Sequence, residues 1–265
     1  MSRFTMTNSP QPQDSPVGAP LAQATAGNVL GGSGAMFDGI AKRYDLLNRV
    51  MTFGIDQRWR RRAIGLLQLP PNAQVLDLAT GTADLAIRTA MNHPDAHVTA
   101  LDPSRGMLAV AQAKVTAAAL DGRVSLVIGD AQHLPFADAT FDGVTMGFGI
   151  RNVPDRLAAL REMRRVVRPG GRIVILEATE PPPSLLSWGA LVHLRVVVPR
   201  LGALLSGAPA EYRYLQKSIA GFPTPLAFAD LMRQAGHDVV AVIPLLLGVS
   251  HLWVARVPQP LESAR

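Results

Sequence analysis

The segment Val75-Leu76-Asp77-Leu78-Ala79-Thr80-Gly81-Thr82-Ala83-Asp84-Leu85 constrains the fold of this chain more than any other. An apolar run, a turn of small residues, a helix start and a second apolar run closing on Asp102 are the parts of a nucleotide-binding crevice. The turn requires small residues because the chain reverses there and its backbone approaches a ligand closely. With one glycine, Gly81, it falls short of the fingerprint that cradles a pyrophosphate. An acid ending the first strand, Asp77, suits a ligand carrying positive charge, and Asp102 is placed to accept hydrogen bonds from a ribose diol.

The pattern around this crevice alternates strand and helix. Gln74 to Leu78, His97 to Leu101, Val124 to Ile128, Phe141 to Met146 and Arg172 to Leu176 read as short buried strands. Helical stretches such as Ser104 to Ala119 separate them, which predicts a doubly wound α/β fold with a mostly parallel sheet. Pro154-Asp155 opens a helix over Arg156 to Arg168, and Pro169-Gly170-Gly171 closes it. Asp238 to Ile243 and Val249 to Val254 are close enough in sequence to form an antiparallel pair. A 48% hydrophobic composition supplies a sizeable core, and 265 residues suit one domain with additions.

Residues 1–34 are rich in Pro, Gly, Ser, Gln and Ala without hydrophobic periodicity, and are expected to be a disordered leader. The domain is expected over 35–257, with a loose tail at 258–265. The absence of cysteine excludes a disulfide framework, a thiolate metal site and a cysteine nucleophile, and no metal site is expected. A net charge of +6 favours an anionic neighbour without choosing among membrane, nucleic acid and acidic ligand.

Several further motifs keep a telling order: Gly129-Asp130-Ala131, Leu134-Pro135-Phe136, Thr140-Phe141-Asp142 and Arg168-Pro169-Gly170-Gly171. With Val75 to Leu85 and Asp102 they resemble a class I S-adenosylmethionine-dependent methyltransferase. More specific are Phe37-Asp38, Tyr44-Asp45, Asn48, Phe53-Gly54 and Trp59, then Gly147 to Val153, and later Tyr212-Arg213-Tyr214-Leu215 with Ser218. Together these resemble the quinone-biosynthesis C-methyltransferases over nearly all of Met36 to Val257. That resemblance implies a seven-stranded Rossmann-like sheet with an antiparallel last strand, a helical lid over 184–222, and methylation of demethylmenaquinol or its ubiquinone-pathway counterpart.

The resemblance also implies residue roles. Asp77 would face the sulfonium or amino end of S-adenosylmethionine, with Gly81 and Thr82 as the floor beneath its methionine part. Asp102 would hold the ribose hydroxyls, and Asp130-Ala131 would flank the adenine. The chain departs from the family pattern at Thr80 and Ala83, often glycine, and at Gly147, often serine. Methyl transfer is an in-line displacement, so alignment does much of the work. The ring carbon becomes nucleophilic only as an adjacent hydroxyl loses its proton, which calls for a base or a phenolate stabiliser. Arg151 and Asn152, after the fourth strand, are the expected catalytic pair, with Tyr44 in an N-terminal helix closing over the site. A lone histidine in an apolar stretch is more often packed than catalytic, so His193, and still more His133 and His251, are set aside.

Ser184 to Leu205 carries Trp188, Pro199, Arg195 and Arg200, which argues for a lid rather than a lipid-spanning helix. With Tyr212, Tyr214 and Phe222 it would form the slot for an isoprenoid tail. A polyprenylated naphthoquinol is therefore the expected partner, with peripheral contact at the inner face of the membrane from the cytoplasm; a homo-oligomer remains open. Gly147-Phe148-Gly149 and Leu160 to Val167 look closer to the naphthoquinol members, with a benzoquinol or dual-pathway enzyme as the alternative. The run Arg58, Arg60, Arg61, Arg62 raises a different class, a nucleic-acid methyltransferase. No recognised RNA-binding module accompanies it, and nucleic acid is not the expected partner. A cofactor-binding scaffold without catalysis is the third reading.

Overall fold

The computed structural model describes Ala41, Asp45, Arg49 and Thr52, then residues 54–181 and 209–259. The leader expected over 1–34, Tyr44, the stretch Ser184 to Leu205 and most of the tail lie outside these residues.

The elements follow in the order α1 (Asp56–Leu67), β1 (Gln74–Leu78), α2 (Asp84–Asn92), β2 (His97–Asp102), α3 (Arg105–Ala117), β3 (Val124–Ile128) and β4 (Phe141–Gly147). After a 3-10 turn at Ile150–Asn152 come α4 (Arg156–Val166), β5 (Val167–Ala178), α5 (Pro209–Ala220), α6 (Pro225–Gln234), β6 (Asp238–Leu245) and β7 (Ser250–Arg256). The starts of α3 and α4 are capped by side chains. Ser104 Oγ accepts from the Met107 amide at 3.0 Å and Asp155 Oδ1 from the Ala158 amide at 2.9 Å, relieving donors that a helix cannot satisfy itself.

The strands form one seven-stranded sheet ordered β3-β2-β1-β4-β5-β7-β6. Strands β1 to β5 are parallel to one another, while β7 is antiparallel to both β5 and β6 and so alone runs against the rest. Both faces are covered. On one, Trp59, Ala63 and Leu67 of α1, Ala86 and Ala90 of α2, and Ala111 and Val115 of α3 pack with Val75, Val98 and Val174. On the other, Leu160 and Met163 of α4 and Phe228 and Met232 of α6 pack with Leu76, Ile173, Ile175 and Trp253. Burial on both faces explains why the central strands read as largely apolar runs.

One boundary differs from expectation. Helix α4 ends at Val166, two residues short of Arg168, because Val167 is already extended and pairs with Phe141 of β4. The residue before a proline avoids the helical region, so Arg168-Pro169 belongs to the strand side. The chain order runs outward from β1 to β3 and returns to β4 on the other side of β1, which opens a switch point at the C-terminal ends of β1 and β4.

Candidate active site

Three adjacent strands each deliver an acid to this rim: Asp77 in β1, Asp102 at the end of β2, and Asp130 just beyond β3. Asp77 is buried, and its carboxylate accepts from the hydroxyls of Thr80 at 2.6 Å and Thr145 at 2.7 Å. Thr145 is its register partner on β4, so the two side chains share a face. Burial pushes the Asp77 carboxyl up to about 6, against the two threonine hydrogen bonds and the Arg60 guanidinium, which pull it down.

Asp102 clamps the turn after β1, accepting from the Gly81 amide at 2.8 Å and the Ser104 amide at 2.9 Å. The turn alternates into left-handed backbone at Ala79, Gly81 and Ala83 (φ 47°, 57° and 64°). Glycine tolerates this best, so the family's glycine at the Ala83 position has a conformational reason, whereas Thr80 is not among these left-handed residues and uses its hydroxyl on Asp77. Asp130 is folded onto Gln132, accepting from its amide at 2.9 Å, beside the buried Ala131.

Thr82 is engaged by an unanticipated cluster. Its hydroxyl donates to Asp45 at 2.6 Å and accepts from Lys114 Nζ at 3.0 Å, while Lys114 also ion-pairs Asp45 at 2.7 Å and Asp84 at 2.5 Å. Burial raises the Asp84 carboxyl, but Arg60 and Lys114 outweigh it and hold the group below its ordinary range. This cluster holds the helical residue Asp45, the neighbour of Tyr44, against the turn.

The donor set fits S-adenosylmethionine. Carboxylates at the ends of three neighbouring strands only accept hydrogen bonds and repel phosphate. They match a ligand whose polar groups are an ammonium, a sulfonium, ribose hydroxyls and an exocyclic amine. Two close approaches shape the rim. A Cβ on Gly149 would stand 2.5 Å from the Ala79 Cβ, and one on Gly147 would stand 2.6 Å from Leu85 Cδ1, so Leu85 occupies the room that a serine would use.

The β4, β5 and β7 half of the rim is different. Arg151 is buried, with Nη1 2.5 Å from Glu177 Oε1 and 2.7 Å from the Phe148 carbonyl, and its own amide donates to Glu177 Oε2 at 3.2 Å. The guanidinium sequence reasoning assigned to a phenolate is thus paired inside the protein. Asn152 Oδ1 accepts from the Tyr214 hydroxyl at 3.2 Å, which joins α5 to the rim. Phe222, Phe228 and Trp253 form a buried aromatic cluster in the core, with Phe222 5.0 Å from Phe228 and Arg156 stacked 5.4 Å over Phe222.

Sequence reasoning missed Arg60, Thr145, Lys114 and Glu177. Arg60 is buried, 3.3 Å from Asp56 and 5.4 Å over the Phe148 ring, while Arg58, Arg61 and Arg62 are exposed. The basic run therefore divides. The helical spacing of Trp59, Ala63, Ile64 and Leu67 was the available signal, since Arg60 lies on that buried face. Glu177 had a signal too, as the one acid in the apolar run Ile173 to Leu176 and its continuation. Among the described residues no helix is long and apolar enough to cross a membrane, and no group of three or more His, Asp or Glu is set to hold a metal ion.

A twisted sheet with one antiparallel strand near its edge and acids at the switch point is the architecture of a class I methyltransferase. A SAM-dependent methyltransferase from Aquifex aeolicus superposes with a TM-score of 0.60 at 18% identity, over 83% of this chain and 98% of that one, a likeness of fold. The model of the ubiE/COQ5 methyltransferase family matches residues 31–255, and the chain belongs to that family. The demethylmenaquinone methyltransferase of Thermus thermophilus is 44% identical over 223 residues, 84% of this chain and 100% of that one. The demethylmenaquinone methyltransferase of Mycobacterium marinum is 42% identical, over 86% of this chain and 94% of that one. A ubiquinone/menaquinone biosynthesis C-methyltransferase of Geotalea daltonii is 41% identical, over 82% and 93% respectively.

Proposed function

We propose that this methyltransferase moves the methyl group of S-adenosylmethionine to a ring carbon of demethylmenaquinol, in menaquinone biosynthesis. The observation that carries the reading is the division of one rim. Acids line the β1 to β3 half, while Asn152 and the Tyr214 hydroxyl that it holds stand on the β4 to β7 half. A cationic nucleoside donor and an acceptor carrying hydroxyls would then meet at the switch point.

When bound, S-adenosylmethionine supplies a methyl group already activated by its sulfonium. Asp77 holds a carboxylate toward that charge, Asp102 offers oxygens to the ribose, and Asp130 and Ala131 bound the adenine. Gly81 and Thr82 form the floor. On the acceptor side, Asn152 orients a quinol hydroxyl, Tyr44 closes the N-terminal segment over the ring, and Arg151 acts as a positioning residue through Glu177. The lid over 184–222 and the arginines of Ser184 to Leu205 would rest on anionic headgroups, since a prenylated acceptor is held by a bilayer. Liposome flotation tests that contact, and indifference to anionic lipid would reject it.

The decisive assay incubates the protein with labelled S-adenosylmethionine and reduced demethylmenaquinone, or a benzoquinol of the ubiquinone pathway, and weighs the lipid product. Label in the naphthoquinol is expected. Label in the benzoquinol alone would move the enzyme to the other pathway, and label in RNA with neither quinol would overturn the assignment.

A further inference from the structure

Building on the quinol reading, we propose that His251 is the proton acceptor for the acceptor hydroxyl, with Thr179 as the residue that selects its tautomer. His251 is the second residue of β7, and because β7 runs against β5 this places it near the C-terminal rim, in register with Glu177. Residues directly opposite in an antiparallel pair project to the same face. His251 thus stands on the face of Glu177 and Trp253, its ring 5.5 Å from the Trp253 ring, beside the turn that carries Arg151 and Asn152.

The hydrogen bonds around it have one consistent direction. Thr179 Oγ1 donates its single proton to the Gly248 carbonyl at 2.8 Å, so toward His251 Nδ1, also at 2.8 Å, it can only accept. Nδ1 therefore carries the proton, and Nε2 is left with its lone pair. Among the described residues nothing hydrogen-bonds Nε2, and it is not one of the fully enclosed polar atoms. The charged groups on this face, Glu177 and Arg151, neutralise each other; Pro244 faces His251 from β6, and Glu180 is exposed. Burial holds the imidazole below its ordinary value, so it is neutral at pH 7.

The quinol O–H bond breaks and its proton moves to Nε2. The oxygen's electrons drive the ring carbon onto the methyl carbon, and the methyl–sulfur bond breaks with its pair retained by sulfur. The hydrogen on the methylated carbon then leaves to water as a proton, aromaticity returns, and Nε2 returns its proton to the oxygen. The net release is one proton.

His251→Asn keeps a donor for Thr179 but lacks the basic Nε2. It is expected to lower kcat about 10²–10⁴-fold and to abolish the acid limb of the pH–rate profile, with S-adenosylmethionine affinity unchanged. Thr179→Val frees the tautomer and should lower kcat less, with the same acid limb. Nitrogen-15 NMR of the free protein should show Nδ1 protonated and Nε2 bare, and Thr179→Val should mix the two. An Nε2-protonated ring in the wild type, or His251→Asn retaining kcat and acid limb on a quinol that the wild type methylates, would overturn the proposal. A wild type that methylates no quinol would overturn the functional reading itself, and the NMR result would still decide the tautomer.

Discussion

Asp77→Asn offers the sharpest test of the site, because the same carboxylate is expected to weaken the empty protein and to strengthen ligand binding. Its ordinary value of 3.8 is raised to about 6 by complete burial. At about 1.4 kcal/mol per pH unit, that difference means the ionised group costs the fold about 3 kcal/mol above pH 6. The sign follows from linkage: a raised carboxyl contributes stability that is present below 3.8 and is lost as pH rises through about 6. Asparagine can accept from one threonine hydroxyl and donate to the other, sacrificing about 1 kcal/mol of charge-assisted hydrogen bonding. The variant should therefore be more stable by about 2 kcal/mol at pH 8, a rise in Tm of about 4–8 °C for a domain of this size, with the gain vanishing near pH 4. Binding should move the other way, with calorimetry giving an affinity for S-adenosylmethionine about 10–100-fold weaker at pH 7.5. Equal or lower stability at pH 8, or a gain that persists at pH 4, would refute the claim that Asp77 is held ionised at a desolvation cost.

Arg151→Met should destabilise the fold by about 3–5 kcal/mol in urea titration by stranding the buried Glu177, and adding Glu177→Gln should recover much of it. Gly149→Ala should cost about 1–3 kcal/mol by overpacking, while Ala79→Gly, which removes the opposing Cβ at a left-handed position, should restore stability in the double variant. His237 donates from Nε2 to the Leu160 carbonyl at 2.8 Å, and burial lowers its value. Its stabilising share is present above about pH 6.5 and falls as pH drops below it, because the unfolded chain takes up the proton first. His237→Gln should flatten the loss of stability as pH drops below about 6.5, and because Asp77 titrates through about 6 with the opposite sign, the comparison is made in an Asp77→Asn background.

The central strands were legible because a parallel sheet buried on both faces leaves largely apolar runs between helices. Asp77, Asp102 and Gly81 were legible for a related reason, since their spacing along one β-turn-α-β unit is local. Thr145 on Asp77 and His251 opposite Glu177 were not, because parallel and antiparallel registers join residues far apart in sequence. Arg151 illustrates the limit well. Its place after β4 was readable, but its partner lies on a different strand and converts an apparent phenolate ligand into half of a buried ion pair.

By itself the sequence determined the alternation of elements, the acids at the strand ends and the small-residue turn, all of which depend on periodicity and short spacing. Tertiary structure alone decided which charges are spent inside the protein and which nitrogen of His251 stays bare. Those outcomes depend on burial and on the direction of hydrogen bonds between distant strands, and neither is written in the order of residues along the chain.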